Sequence, residues 1–428
     1  MNLNKKIRTM RITLSLMIIF AIFSAGCSPS KNITPSSTEV SAVSKAAGFL
    51  ASMVEKHEGF IGSDEQRDKA SDYAYLYDNA VAAIALSYAG AQWHAEKIAD
   101  AIVFVQEHDR TFHDGRLRNA YLKGDPKSQS GRSIAAGKIT VRLPGFWKDG
   151  HWQEDSFTVS TSTGNMAWAI LALCTAAENA SDSQRQAYLT AAIRAAEFVL
   201  SLKSDTGGFT AGYEGWDDSQ LKATYKSTEH NISLVAAFSV LSESLKDTDQ
   251  DQSNICAKAA KHAKDFVLSM YDDEYHCFYT GTTADGITIS KGIIPLDANS
   301  LACLILGEEL ENRHRTISFV EERMAVGEGF DFSAGDLDGI WNEGTAQIAI
   351  CYRQLKNTEK YERIMAYLET QTAKDGSIPA ADRDGVSTGF AVVGTDILWE
   401  FNNVQSISAT GWLALAQLDD NPFIRVSE

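Results

Sequence analysis

Ser227-Thr228-Glu229-His230-Asn231-Ile232-Ser233-Leu234-Val235-Ala236-Ala237-Phe238 decides the fold. A carboxylate, an imidazole and an amide stand side by side, and an almost uncharged run follows at once. A helix apolar nearly all round is buried on every side. Polar groups that open such a helix either cap it or face a cleft. The same design returns five times along the chain. Tyr77 to Leu86, Ser162 to Leu171, Asp297 to Leu304, Asn342 to Ala349 and Ser408 to Leu415 each pass from a polar or Gly-containing opening into such a run, mostly Ala, Leu and Ile.

Amphipathic segments lie between these, near 41–56, 93–107, 184–203, 252–270, 308–324 and 358–371. In the fourth, Lys258, Lys261, Lys264 and Asp265 are set among Ala259, Ala260, Ala263, Phe266 and Val267 at helical spacing. A glycine then follows most of them, as in Glu58-Gly59-Phe60, Asp114-Gly115, Gly207-Gly208-Phe209, Gly329-Phe330 and Asp375-Gly376. Glycine just past a helix end is the usual stop signal. Asp272-Asp273-Glu274-Tyr275 holds the same place without one. Alternation of outer and inner helices, six times over, predicts an all-α fold. It is an (α/α)6 toroid of six inner and six outer helices, with long loops and small β-hairpins on one face. The links from inner to outer helix are short, and those from outer to inner are long, the longest from about Glu107 to Ser160. All the long loops therefore gather at the N-termini of the inner helices, the usual place for a site on a rigid scaffold. Phe278-Tyr279-Thr280-Gly281 and Asp285-Gly286-Ile287-Thr288-Ile289 predict one of the hairpins there.

Four acids open inner helices, namely Asp78, Glu229, Asp297 and Glu343, and a six-fold ring brings them to the central cavity. Acids also suit helix N-termini as caps and through the helix dipole, so each taken alone has two readings. Together they suit glycosidic cleavage, which needs one carboxyl to protonate the leaving oxygen and another to attack or to activate water. Glu229 is the candidate acid, with Asp78 or Glu343 as base. His230 and Asn231 beside Glu229, and Asp297, are candidate sugar contacts. So are the aromatics near the acids and in the long loops: Tyr75, Tyr77, Trp147, Trp152, Trp216 and Trp341, with Trp399 and Phe401 before the last inner helix. Arg118 could bind an anionic sugar or pair with nearby acids.

The architecture resembles the six-hairpin glycoside hydrolases and polysaccharide lyases, and in layout the exported glycoside hydrolase family 8 enzymes. The resemblance covers nearly all of the mature chain as architecture and implies polysaccharide hydrolysis, with inversion as in many related toroids. The chain departs from that layout at its second inner helix. Gly164-Asn165 stand where family 8 enzymes usually carry an acid.

The first residues read as a processing signal. Lys5, Lys6, Arg8 and Arg11 precede an apolar run from Ile12 to Phe23 that is short for a membrane span, and Ser24-Ala25-Gly26-Cys27 resembles a bacterial lipobox. The predicted organisation is a lipoprotein signal over 1–26, a Ser/Thr/Pro-rich tether over 27–39 and a single toroid domain over 40–428. Acylated Cys27 would anchor the protein to a bacterial envelope membrane. Five further cysteines, mostly in apolar helices, read as buried thiols. The net charge of −17 argues against nucleic acid or an anionic membrane face as partner. No P-loop, Rossmann glycine pattern, HExxH, GxSxG or metal-ligand spacing occurs, so neither metal nor cofactor is expected. Three functions fit: a glycoside hydrolase on an envelope or extracellular polysaccharide, a lyase or epimerase on the same scaffold, or a glycan-binding lipoprotein of a polysaccharide-assembly system.

Overall fold

The computed structural model describes residues 44–63, 72–130, 141, 143–391, 396–418 and 423, with the backbone alone at 129–130, 146–148 and 151–152. Cys27, the leader and the tether lie outside the described residues, as do the side chains of Trp147 and Trp152. The helices are α1 (Lys45–His57), α2 (Leu76–Tyr88), α3 (Gln92–Glu107), the short α4 (Pro126–Ser130) and α5 (Ser156–Val159), α6 (Thr163–Glu178), α7 (Asp182–Leu200), α8 (Thr228–Leu245), α9 (Gln250–Ser269), α10 (Leu296–Leu306), α11 (Arg313–Met324), α12 (Asn342–Gln354), α13 (Thr358–Gln371) and α14 (Ile407–Ala416).

Helices α2, α6, α8, α10, α12 and α14 pack in that order, and α14 closes onto α2. Their apolar composition is what such a ring requires, because each has neighbours on all sides. All ten residues of α14 are buried. Outside, α1 packs on α14 and α2, α3 on α2 and α6, α7 on α6, α9 on α8, α11 on α10 and α13 on α12. The outer helices bury one stripe only. In α9 it is Ser253, Cys256, Ala259, Ala260, Ala263, Phe266 and Val267.

One side chain near the start of each inner helix fixes its register against the segment that follows the preceding outer helix. Asn79 accepts from the N–H of Ile61 and donates to the carbonyls of Ile61 and Tyr75. Asn231 does the same with Phe209 and Ser227, and Asn299 with Phe278 and Pro295. In α12 and α14, the hydroxyls of Thr345 and Thr410 accept from the N–H of Phe330 and Ile378 and donate one turn back to Trp341 and Ser406. In α6 the sulfur of Met166 receives the N–H of Leu117. These clamps satisfy backbone groups that burial would otherwise strand.

The strands are short antiparallel ladders in the outer-to-inner loops. Gly281–Thr282 pairs with Ile289–Ser290 where the sequence predicts a hairpin. A longer pair, Val386–Ala391 with Leu398–Phe401, stands before α14. Cys174, Cys256, Cys277, Cys303 and Cys351 are buried thiols.

Candidate active site

A cavity of about 420 Å³ opens at the N-terminal end of the inner ring, and Asp78, Glu229, Asp297 and Glu343 all line it. None of the four is the N-cap of its helix. Ser227 caps α8 through its hydroxyl, which accepts from the N–H of His230. Helices α2, α10 and α12 begin after Tyr75, Pro295 and Trp341 without a side-chain cap. The acids sit in the first turn and face the cavity.

The clamps give the acids their register. Glu229, Asp297 and Glu343 each stand two residues before a clamp, on three consecutive inner helices. Ser408, Tyr77 and Gly164 occupy that position on the other three. Asp78 lies one residue further along its helix, in the place that His230 holds on α8 and Asn165 on α6.

Burial governs the charge of this ring. It pushes Glu343 up, and the nearby Asp78 and Glu229 add to that, while hydrogen bonds from Tyr77 and Ser408 hold it down; the outcome is about 7. The Tyr77 hydroxyl donates to Glu343 Oε1 at 2.5 Å and accepts from Trp412 Nε1 at 2.9 Å. Asp78 is raised to about 7 by burial, against the bond from Ser63. Burial and then the charge of Glu229 carry Asp297 well above the carboxylate range. Glu229 itself is 23% exposed and accepts from the Ser233 hydroxyl at 2.9 Å. Clustered, desolvated carboxyls thus keep protons near neutral pH.

His230 is held neutral by burial, although Glu229 pulls the other way. Its Nε2 lies 3.3 Å from the Ser162 hydroxyl and 3.7 Å from Glu229 Oε2. A Cβ at position 164 would come within 2.5 Å of the imidazole Cδ2. Gly164, where the family 8 layout has an acid, is therefore the seat of the His230 ring.

Tyr75, Tyr77 and Trp341 line the cavity. Three sequence expectations are corrected. Asn231 is fully buried and spends its amide on the Phe209 clamp, so it does not face a ligand. Arg118 is also fully buried, bidentate on Asp109 (2.6 and 2.9 Å) and paired with Asp217. Its guanidinium ties loops together and lies outside the cavity. Trp216 is half exposed and does not line it. Conversely, sequence reasoning missed Phe157, Trp168, Gln347 and Ser408 in the lining. Gln347 stands four residues after Glu343, and Trp168 four after Gly164, so helical spacing could have found both.

No family model matches the chain, and no curated protein does either. Solved structures do. A glycosidase in complex with glucose superposes with a TM-score of 0.58 at 12% identity, over 89% of this chain and 98% of that one. A GH76 α-mannanase from Bacteroides thetaiotaomicron gives 0.51 at 11%, over 89% and 97%. A cellobiose 2-epimerase from Bacillus thermoamylovorans gives 0.56 at 10%, over 86% and 95%. The chain has the (α/α)6 toroid fold. At these identities the likeness is one of fold, and what the toroid does must be argued from its own cavity.

Proposed function

We propose that this toroid is a carbohydrate-active enzyme, a glycoside hydrolase whose carboxyls act in the cavity at the inner N-termini. The observation that carries the reading is the ring Glu229–Asp297–Glu343 with Asp78, in which burial leaves proton-bearing carboxyls beside the more open Glu229. Aromatic walls around the acids suit sugar faces.

The sequence alone favoured Glu229 as the acid, and the environment favours the reverse. Glu343 is buried and raised to about 7, and Tyr77 and Ser408 hold its carboxyl in place. Glu343 is the general acid of this proposal. It gives its proton to the leaving oxygen as the glycosidic C–O bond breaks. Glu229 takes a proton from water, whose hydroxyl ends on the anomeric carbon. The lining contains neither Arg nor Lys among the described residues. A uronate lyase needs a cation against the sugar carboxylate, so the cavity favours a neutral glycan and hydrolysis.

Glu343→Gln and Glu229→Gln, each assayed for reducing-end release on a panel of neutral polysaccharides, should lose activity by at least about 100-fold while keeping the helical circular-dichroism spectrum. Wild-type rates in both variants would sink the assignment. We also propose that the enzyme works at the cell envelope, tethered through Cys27. Labelled fatty acid should enter the wild type and not Cys27→Ala, and equal labelling of the two would refute the tether.

A further inference from the structure

The aromatics that line the cavity are of two kinds. Trp168 and Trp341 are 1% and 3% exposed and belong to the core. Phe157 and Trp399 also line the cavity, yet keep 44% and 40% of their surface open to solvent. The two rings touch, with centroids 5.3 Å apart and planes at 55°. Phe157 in turn meets Tyr75, the residue before α2, at 6.1 Å. The elements that carry them, α5 and strand Leu398–Phe401, precede α6 and α14, the neighbours of α2 in the inner ring. The pair therefore stands at the edge of the cavity on the α2 side. Glu229 and Glu343 enter from α8 and α12, each two places round the ring from α2.

Both rings are held in place before any ligand arrives. Strand Leu398–Phe401 pairs with Val386–Ala391, and the Trp399 carbonyl accepts from the Thr388 hydroxyl at 2.9 Å. Helix α5 is capped by Asp155, which accepts from the N–H of Thr158, and the Phe157 carbonyl accepts from Asn119 Nδ2 at 2.8 Å. Apolar surface this open gains free energy when it is covered. Rings already fixed lose little entropy in the process. Polar groups adjoin them, since Glu400, Asn402 and Gln405 line the cavity from the same segment as Trp399. An aromatic face beside carboxylate and amide groups matches a pyranose, whose C–H face is apolar and whose edge carries hydroxyls.

We propose that Trp399 and Phe157 form a sugar platform outside the two positions that flank the scissile bond. It holds a further unit of the glycan by its face, so the enzyme prefers neutral oligosaccharides longer than a disaccharide. This rests on the hydrolase reading and extends it to the length of the substrate.

The test uses the full chain with maltohexaose, cellohexaose, α-1,6-mannohexaose and xylohexaose, and with the disaccharide of each linkage. The expected result is one hexaose cleaved with kcat/KM at least about tenfold above that of its disaccharide. Trp399→Ala and Phe157→Ala, checked for fold by circular dichroism, should each raise KM for that hexaose about tenfold and leave kcat within about twofold, as loss of uniform binding does. Trp399→Phe keeps a ring and should hold KM within about threefold. KM for the disaccharide should stay put in all three variants, which a mere loosening of the loops would not spare. An unchanged hexaose KM in both alanine variants, or equal losses on hexaose and disaccharide, would overturn the platform and leave hydrolysis standing. Binding of a hexaose in calorimetry, weakened in Trp399→Ala but with no reducing ends released by the wild type, would support the platform and overturn the hydrolase reading alone. Absence of binding to all four hexaoses would overturn both.

Discussion

Tyr77 sets the working range of Glu343. Its hydroxyl bonds to the carboxylate and so favours the charged form, which lowers the Glu343 value that burial has raised. An acid catalyst must hold its proton, so kcat/KM should fall as pH rises through about 7. Removing the hydroxyl in Tyr77→Phe removes the lowering contribution, and the alkaline limb should move to higher pH. A limb that stays put or moves down in a pH–rate profile would contradict Glu343 as the titrating group. Asp78 makes a separate prediction about stability. Its folded-state value is raised from 3.8 to about 7, so the unfolded chain gives up this proton first. Stability therefore falls between about pH 4 and 7 and stays reduced above that. One pKa unit is worth about 1.4 kcal/mol, so the rise from 3.8 to about 7 costs roughly 4 kcal/mol at alkaline pH. Asp78→Asn should raise the melting temperature at pH 8 and leave it little changed at pH 4. Equal shifts at both values would show that the carboxyl is not desolvated as described.

At the scale of elements, the clamps hold loops to helices. Asn299→Ala would strand the backbone N–H and carbonyl of Phe278 in the core and cost about 2–4 kcal/mol in denaturant unfolding. Arg118→Met would likewise leave Asp109 without its cation and Asp217 with Arg110 alone, and loosening of the loops from 109 to 217 should appear as faster hydrogen exchange there. This scale also shows how much was legible. Inner helices were readable because a helix enclosed by neighbours must be apolar all round, and outer helices because one stripe is buried. The acids were readable as a set because each opens such a helix. Asn231 and Asp297 were not separable in advance. Both are polar residues in a first turn, and only the long-range bond to Phe209 shows that one turns to the backbone while the other faces the cavity. Arg118 had two readings, an anionic sugar or nearby acids, and only its partners Asp109 and Asp217, 9 and 99 residues away, decide for the acids.

At the scale of the molecule, the ring closes between the first inner helix and the last. Helix α14 packs on α2, α12 and α1, and Trp412 from α14 supports the hydroxyl of Tyr77 from α2. An open solenoid would tolerate loss of its last repeat better than a closed ring. Truncation before Ile407 should therefore abolish cooperative unfolding throughout the chain, and a shortened protein that melts in one sharp transition would argue against closure as the stabilising device. The ring also explains the convergence of the acids: six N-termini around one axis leave their first-turn side chains nowhere else to meet.

Gly164 and His230 form an interlocked pair on neighbouring helices, with space for one ring and no Cβ beneath it. Change at these two positions is consequently path-dependent. Gly164→Asp alone drives a side chain into the imidazole, whereas His230→Ala first opens the room an acid would need. The order of substitution decides whether a fifth carboxyl can join the cavity, which makes this pair an epistatic gate between the present cavity and one with an acid on every inner helix from α2 to α12.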